Sequence, residues 1–260
     1  MYPNPLKQRL RRGEIVLGTN VGAASPYVAG PIMDAQPDFL WIDTEHMAYG
    51  TEALETLPVL CRMRGVAPLI RVAWNDPGLI KKAYDAGAVA VMVPQVDTAA
   101  AAAQAVRYAR YAPEGRRGLS PMWTRIAGVN WNEVIRTANE ETVLILQIES
   151  QEAFDNLDQI KQVPGIDVLL VGPLDLSASV GTITDTASPA VLDIMREVPR
   201  RLAGTGIVAG TTLGEVADIQ EKIRWGYRFL SVGSALGYGV QVLRRNLETL
   251  RRDPLGSGPG

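Results

Sequence analysis

The sequence predicts a closed (β/α)8 TIM barrel, a single α/β domain over residues 1–253, and three observations carry that prediction. Eight short apolar and β-branched runs end in polar or turn residues. Helical patterns lie between most of them, so strand and helix alternate along the chain and imply a parallel sheet. The first run is not followed by a G-x-G-x-x-G turn opening a helix, which disfavours the main competitor, a doubly wound open sheet.

The first strand is placed at Ile15–Val21 and the second at Phe39–Asp43. Both are nearly continuous apolar runs, as expected where the two faces of a parallel strand are covered. A helical stretch, LPVLCRMRG, precedes the third strand at Pro68–Val72, and the fourth follows at Val89–Val93. The alanine run of Asp97–Tyr111 reads as a helix. Pro113–Trp131, with its Gly, Pro, Trp and Arg, reads as a long loop of the kind that carries specificity or oligomer contacts in barrels. Strand five is Val143–Ile148, followed by a helical Gln151–Gln162, and strand six is Val168–Val171. Helices at Pro189–Leu202 and Leu213–Trp225 flank strand seven at Ile207–Gly210. Strand eight is Phe229–Val232, and residues 254–260 read as a flexible tail.

Composition narrows the function classes. The 260 residues are 47% hydrophobic and 21% charged, a balance that fits neither a disordered nor a membrane chain. Without an apolar run long enough for a membrane span or a signal-type core after Met1–Arg12, a cytoplasmic protein is expected. The net charge of −2 is scattered, so no basic stripe offers itself to nucleic acid. One cysteine, Cys61, rules out a disulfide framework or thiolate cluster and reads as a packed core thiol. One histidine, His46, rules out a His-rich zinc site.

Barrel enzymes present their reactive groups at the carboxyl ends of the strands. Here those ends carry Asp43, Glu45 and His46 (WIDTEH), Arg71 (PLIRV), Glu149 (LILQIES) and Asp175 (LLVGPLDLS). Glu149 and Asp175 follow neighbouring strands, and two carboxylates completed by water and substrate oxygens suit a hard divalent cation. Magnesium or manganese fits best, with cobalt or zinc also admitted; the alternative is that both residues cap the helices that follow them. Arg71 lies in an apolar strand and needs an anion, either the carboxylate of a small substrate or a structural partner in Asp43 or Glu45. His46, three residues beyond Asp43, can be held by it as a proton-transferring pair. No lysine lies at a strand end, so a metal-stabilised enolate is favoured over Schiff-base chemistry. The small residues of SVGSALGYG after strand eight leave a phosphate cradle open beside ordinary turn chemistry.

The segments FLWIDTEH, PLIRVAWNDP, the Asp85-Ala-Gly-Ala stretch with VMVPQV, YAPEGRRG, LQIES and GPLDLSASVG resemble, in order and spacing, the HpcH/HpaI family of class II pyruvate aldolases. The resemblance covers nearly the whole chain. It implies cleavage or formation of 4-hydroxy-2-keto acids from pyruvate and an aldehyde, with Glu149 and Asp175 on the metal and Arg71 orienting pyruvate. It further implies that His46 with Asp43 handles the proton, and that Gly172, Pro173, Leu174 and Asp175 present backbone donors. Asp85 matches an acid that reaches the site of a neighbouring subunit, in homo-hexamers built as trimers of dimers with the last helix, Val240–Arg251, exchanged. Two departures bear on the acceptor aldehyde. Gly18-Thr19-Asn20 stands where the family often has a tryptophan, and LSPMWTRIAGVNW diverges after RRG, so that Tyr49, Met122, Trp123 and Arg125 are candidates to shape that pocket. An acyl-CoA lyase of the citrate lyase β type and a non-catalytic keto-acid-binding protein are the rival readings.

Overall fold

In the computed structural model, which describes residues 4–48, 50 and 54–254, eight parallel strands pair in sequence order and β8 closes on β1. The strands are β1 (Val16–Asn20), β2 (Phe39–Asp43), β3 (Ala67–Arg71), β4 (Ala90–Val93), β5 (Val143–Ile148), β6 (Val168–Val171), β7 (Val208–Thr212) and β8 (Phe229–Ser234). The helices before β5 are α1 (Pro5–Arg11), α2 (Pro26–Asp34), α3 (Leu57–Met63), α4 (Pro77–Asp85), α5 (Ala99–Ala109), α6 (Trp123–Ala127) and α7 (Trp131–Glu141). After β5 come α8 (Gln151–Asp155), α9 (Leu157–Ile160), α10 (Pro173–Ser179), α11 (Pro189–Leu202), α12 (Val216–Trp225) and α13 (Ala235–Arg252).

Side chains alternate between the two faces of each strand, which divides the apolar residues into two cores. Leu40, Ile42, Ile70, Val91, Leu144, Leu146 and Leu169 pack outward among the helices. Phe39, Trp41, Leu69, Met92, Val143, Ile145, Leu170 and Phe229 fill the barrel. The Phe39 and Phe229 rings stack with centroids 4.4 Å apart, and a Cβ on Gly18 would lie 2.4 Å from the Phe39 ring, so glycine is what admits that pair. Leu6 and Leu10 of α1 join the interior core and plug the amino-terminal end of the barrel. Asn4 caps that helix by accepting from Leu6 N at 3.1 Å.

The interval expected as a loop, Pro113–Trp131, contains a helix: α6 runs from Trp123 to Ala127 and ends at Gly128 with φ 65°. Trp123 anchors it, 4% exposed, with the Arg62 guanidinium 3.7 Å from its ring centroid. Asn130 then opens α7 by accepting from Asn132 N and Glu133 N. The last helix behaves differently from the rest. No side chain of α13 is buried, and Leu236, Val240, Leu243, Leu247 and Leu250 form an exposed apolar row at three- and four-residue spacing. An apolar groove of about 600 Å³ lies beside it, lined by Leu17, Pro31, Ile32, Val232 and Tyr238 among others. Among the described residues, no helix is long and apolar enough to cross a membrane.

Candidate active site

The alternation that sends Phe39 and Trp41 into the barrel also sends Asp43 there, one step nearer the carboxyl end. The same parity takes Leu69 to Arg71 on β3 and Ile145 to Gln147 on β5, with Glu149 continuing it just past the strand. Asp43 and Arg71 stand side by side in the β2–β3 register. Arg71 Nε donates to Asp43 Oδ1 at 2.9 Å and Nη2 to Oδ2 at 2.6 Å, while Nη1 lies 2.9 Å from Glu45 Oε2. The structural partners considered for Arg71 are therefore both present. Burial disfavours the guanidinium charge, but the Asp43 hydrogen bonds and the charges of Asp43, Glu45 and Glu149 hold its pKa above the ordinary value.

The expected Asp43–His46 pair is not formed. Both Asp43 oxygens are taken by Arg71, and Oδ1 also accepts from Glu45 N at 3.0 Å. His46, with its side chain 60% exposed, instead faces Glu45, Nε2 to Oε2 at 3.8 Å. Burial raises the Glu45 carboxyl against the pull of Arg71 and His46, and the charges of Asp43 and Asp175 add to the rise.

Glu149 is buried and does not cap the following helix, because Ser150 Oγ fills that role by accepting from Ala153 N at 2.9 Å. Its Oε1 accepts from Gln147 Nε2, and its Oε2 accepts from Gln95 N at 3.3 Å. Burial first, then the charges of Asp175 and Glu45, push the Glu149 carboxyl up to about 8. Asp175 is exposed in the first turn of α10. The carboxyl groups of Asp43, Glu45, Glu149 and Asp175 thus gather at this end of the barrel, and the burial and mutual repulsion that raise Glu45 and Glu149 are what a bound cation would relieve. Among the described residues no three His, Cys, Asp or Glu side chains form a ready-made metal cage. A two-carboxylate, oxygen-only donor set fits a hard ion that keeps several waters or substrate oxygens.

Gln147 is a site residue that the sequence reading passed over; it is 1% exposed and its Oε1 has no hydrogen-bond partner. An amide inside the apolar run LILQI was the available signal. Gly172 supplies the opposite wall. A Cβ there would sit 2.4 Å from Glu149 Oε1, so Gly172→Ala is expected to push the carboxylate aside and weaken Mn2+ binding about tenfold, measurable by calorimetric titration with the melting temperature as control. Of the expected backbone donors, Pro173 has no N–H and Gly172 N is engaged with Ile148 O at 3.3 Å. That leaves Leu174 and Asp175, whose N–H groups lie in the first turn of α10 and lack intrahelical partners.

The remaining expected residues lie elsewhere. Asp85 ends α4, which leads into the start of β4, so it sits toward the amino-terminal end of its own barrel, away from the mouth. There it lines a pocket with Met122, Trp123 and Ile126. Met122 and Trp123, considered for the acceptor pocket, are therefore not at the mouth of their own barrel, and Tyr49 lies outside the described residues. Asp85 Oδ1 is buried without a partner, and burial raises the carboxyl from 3.8 to about 6 against the pull of Arg117 and Lys81. Because the folded chain binds this proton more tightly than the unfolded chain, stability falls as pH rises through that interval. Asp85→Asn, which keeps the neutral form, should melt about 3 °C above the parent at pH 7.5 and match it below pH 4 in thermal scans. Cys61 is fully buried and its thiol is pushed up to about 12, as expected of a core thiol. Lys7, whose pKa burial lowers, lies at the plugged end of the barrel against Asp167, away from the mouth.

Comparison with known proteins places this arrangement. The sequence pattern described as HpcH/HpaI aldolase/citrate lyase matches residues 17–240. The 2-keto-3-deoxy-L-rhamnonate aldolase of Klebsiella pneumoniae subsp. pneumoniae is 35% identical over 256 residues, covering 97% of this chain and 95% of that one. The hydroxypyruvate/pyruvate aldolase of Roseovarius nubinhibens is 32% identical over 251 residues, covering 96% and 98%. Among solved structures, an HpcH/HpaI aldolase/citrate lyase family protein from Burkholderia cenocepacia superposes with a TM-score of 0.89 at 32% identity, over 95% of this chain and 99% of that one.

Proposed function

The chain belongs to the HpcH/HpaI aldolase/citrate lyase family and is a carbon–carbon lyase of the aldolase type, and we propose that it cleaves and forms 4-hydroxy-2-keto acids at the bond next to the pyruvate unit. The observation that carries this reading is the gathering of four carboxyl groups and one guanidinium at the carboxyl end of the barrel, where Arg71 is engaged by Asp43 and Glu45 and leaves Glu149 and Asp175 for a cation.

Glu149 and Asp175 would hold a divalent cation, magnesium or manganese first and cobalt or zinc next, which when bound would supply Lewis-acid stabilisation of negative charge on the substrate's keto oxygen. The protein's own groups do the rest. Arg71, fixed from two sides by Asp43 and Glu45, directs its remaining N–H capacity at the substrate carboxylate and keto oxygen. The free N–H groups of Leu174 and Asp175 add donors for the same carboxylate. Gln147 fixes Glu149 through its amide N–H and keeps a buried amide oxygen without a partner beside it. In the cleavage direction His46 takes the proton of the 4-hydroxyl, the C3–C4 bond breaks, the aldehyde leaves, and the proton held by His46 returns to C3 of the enolate, directly or through water, giving pyruvate and the neutral imidazole. Glu45 at 3.8 Å stabilises the imidazolium that forms on His46, the role first expected of Asp43.

Asp85 serves this reaction only from a second copy, since it lies away from the mouth of its own barrel. An exchanged α13 seated in the apolar groove of a neighbour, within a homo-hexamer built as a trimer of dimers, accounts for both the uncovered leucine row and the groove. A cytoplasmic setting accompanies the reading.

The test is pyruvate release from a panel of 4-hydroxy-2-keto acids, followed by coupling to lactate dehydrogenase, before and after chelation and with each metal restored. Metal-dependent release is expected. Turnover of CoA thioesters alone would favour a citrate lyase β-type activity, and binding without any turnover would favour a keto-acid-binding protein.

A further inference from the structure

Gln95, just after β4, has φ 53°, a left-handed conformation that costs a residue with a Cβ and concentrates at functional sites. Its side chain is exposed, so packing of that side chain does not account for the conformation. The backbone does. Along an extended strand successive N–H groups point to opposite sides, whereas a left-handed residue lets neighbouring N–H groups face the same way. Here Gln95 N donates to Glu149 Oε2 and Val96 N donates to Gln147 O, both at 3.3 Å. The β4–β5 ladder is in register only as far as Val93 opposite Leu146, so this turn carries the contact onward to the end of β5. Pro94 before it has no N–H to compete, and Val96 after it is fully buried and anchors the turn.

We propose that Gln95 is a positioning residue whose left-handed backbone clips the Glu149 carboxylate from the β4 side, opposite Gly172, with Gln147 holding the other oxygen. The inference rests on the reading of Glu149 as a metal ligand. Any residue that accepts a positive φ will serve at position 95, and a β-branched one will not.

Mn2+ affinity measured by calorimetric titration, beside the melting temperature, tests this in Gln95→Gly, Gln95→Asn, Gln95→Ala and Gln95→Val. Gly and Asn are expected to stay within about threefold of the parent, and Val to bind about tenfold more weakly with Ala between them, the scale seen when a group supporting a metal ligand is lost. In a Glu149→Gln background the difference between Val and Gly should vanish. Parental affinity in Gln95→Val, or a loss in Gln95→Gly as large as in Val, would overturn the proposal. If Val does not fold, Ala against Gly decides on the same criterion. Parental Mn2+ affinity in Glu149→Gln alone would instead remove the ligand assignment on which the clip depends.

Discussion

Glu149→Gln is expected to bind Mn2+ at least about 100-fold more weakly, beyond the loss usual for a supporting group, and to lower turnover about a thousandfold, the equivalent of several kcal/mol of transition-state charge stabilisation. The substitution keeps the shape of the side chain; its single amide oxygen can accept from Gln95 N, while the new NH2 can donate to the otherwise unpartnered Gln147 Oε1 once that amide turns over. It also removes one of four crowded carboxylates, so the fold should not weaken. Calorimetric titration, steady-state kinetics and a thermal melt on the same preparation separate these effects. Parental metal affinity would reassign Glu149 to a structural role, since its burial and hydrogen bonds alone are equally those of a packed acid.

Arg71→Lys should lower turnover by a comparable factor of about a thousand, because an ammonium reproduces the charge but not the planar fork that spans Asp43, Glu45 and substrate. Lysine is the informative replacement. Arg71→Ala would leave Asp43 and Glu45 without the cation that offsets their burial, and breaking a buried pair in that way costs about 3–5 kcal/mol. An inactive alanine variant would therefore not distinguish lost substrate binding from a damaged site. Near-parental kcat/KM in a folded Arg71→Lys enzyme would contradict the assignment of this guanidinium to the substrate.

The barrel was legible because its signal is short-range. Each strand run lay within two residues of the observed element, and apolar continuity and strand parity are local properties of the chain. Strand parity also carries Asp43, Arg71 and Glu149 to the inner wall, so the region of the site followed from the same information. The α6 and α7 helices were missed for the opposite reason. Trp123 is fixed by Arg62, from a helix about sixty residues earlier, and the Asn130 cap with Glu133 three residues on was a start signal passed over among the Gly and Pro.

Side-chain pairing across strands was the least legible feature. Spacing along the chain placed Asp43 near His46, but the β2–β3 register sets Asp43 opposite Arg71, and a buried guanidinium outcompetes an exposed imidazole for that carboxylate. Glu45 is left beside the histidine. The location of Asp85 follows from topology rather than composition, because the end of a helix that precedes a strand lies at the opposite face from the strand's carboxyl end. Gln147 was visible as a polar interruption in strand five, and its meaning required the neighbouring Glu149.

The central claim is that this site forms a pyruvate enolate with the help of a metal on Glu149 and Asp175, and exchange of the pyruvate methyl protons in D2O tests it without knowledge of the aldehyde. Proton NMR should show the methyl signal fading in the presence of enzyme and Mg2+, persisting after chelation, and persisting with Glu149→Gln. Exchange that survives chelation, or no exchange with any of the four divalent metals supplied, would contradict it.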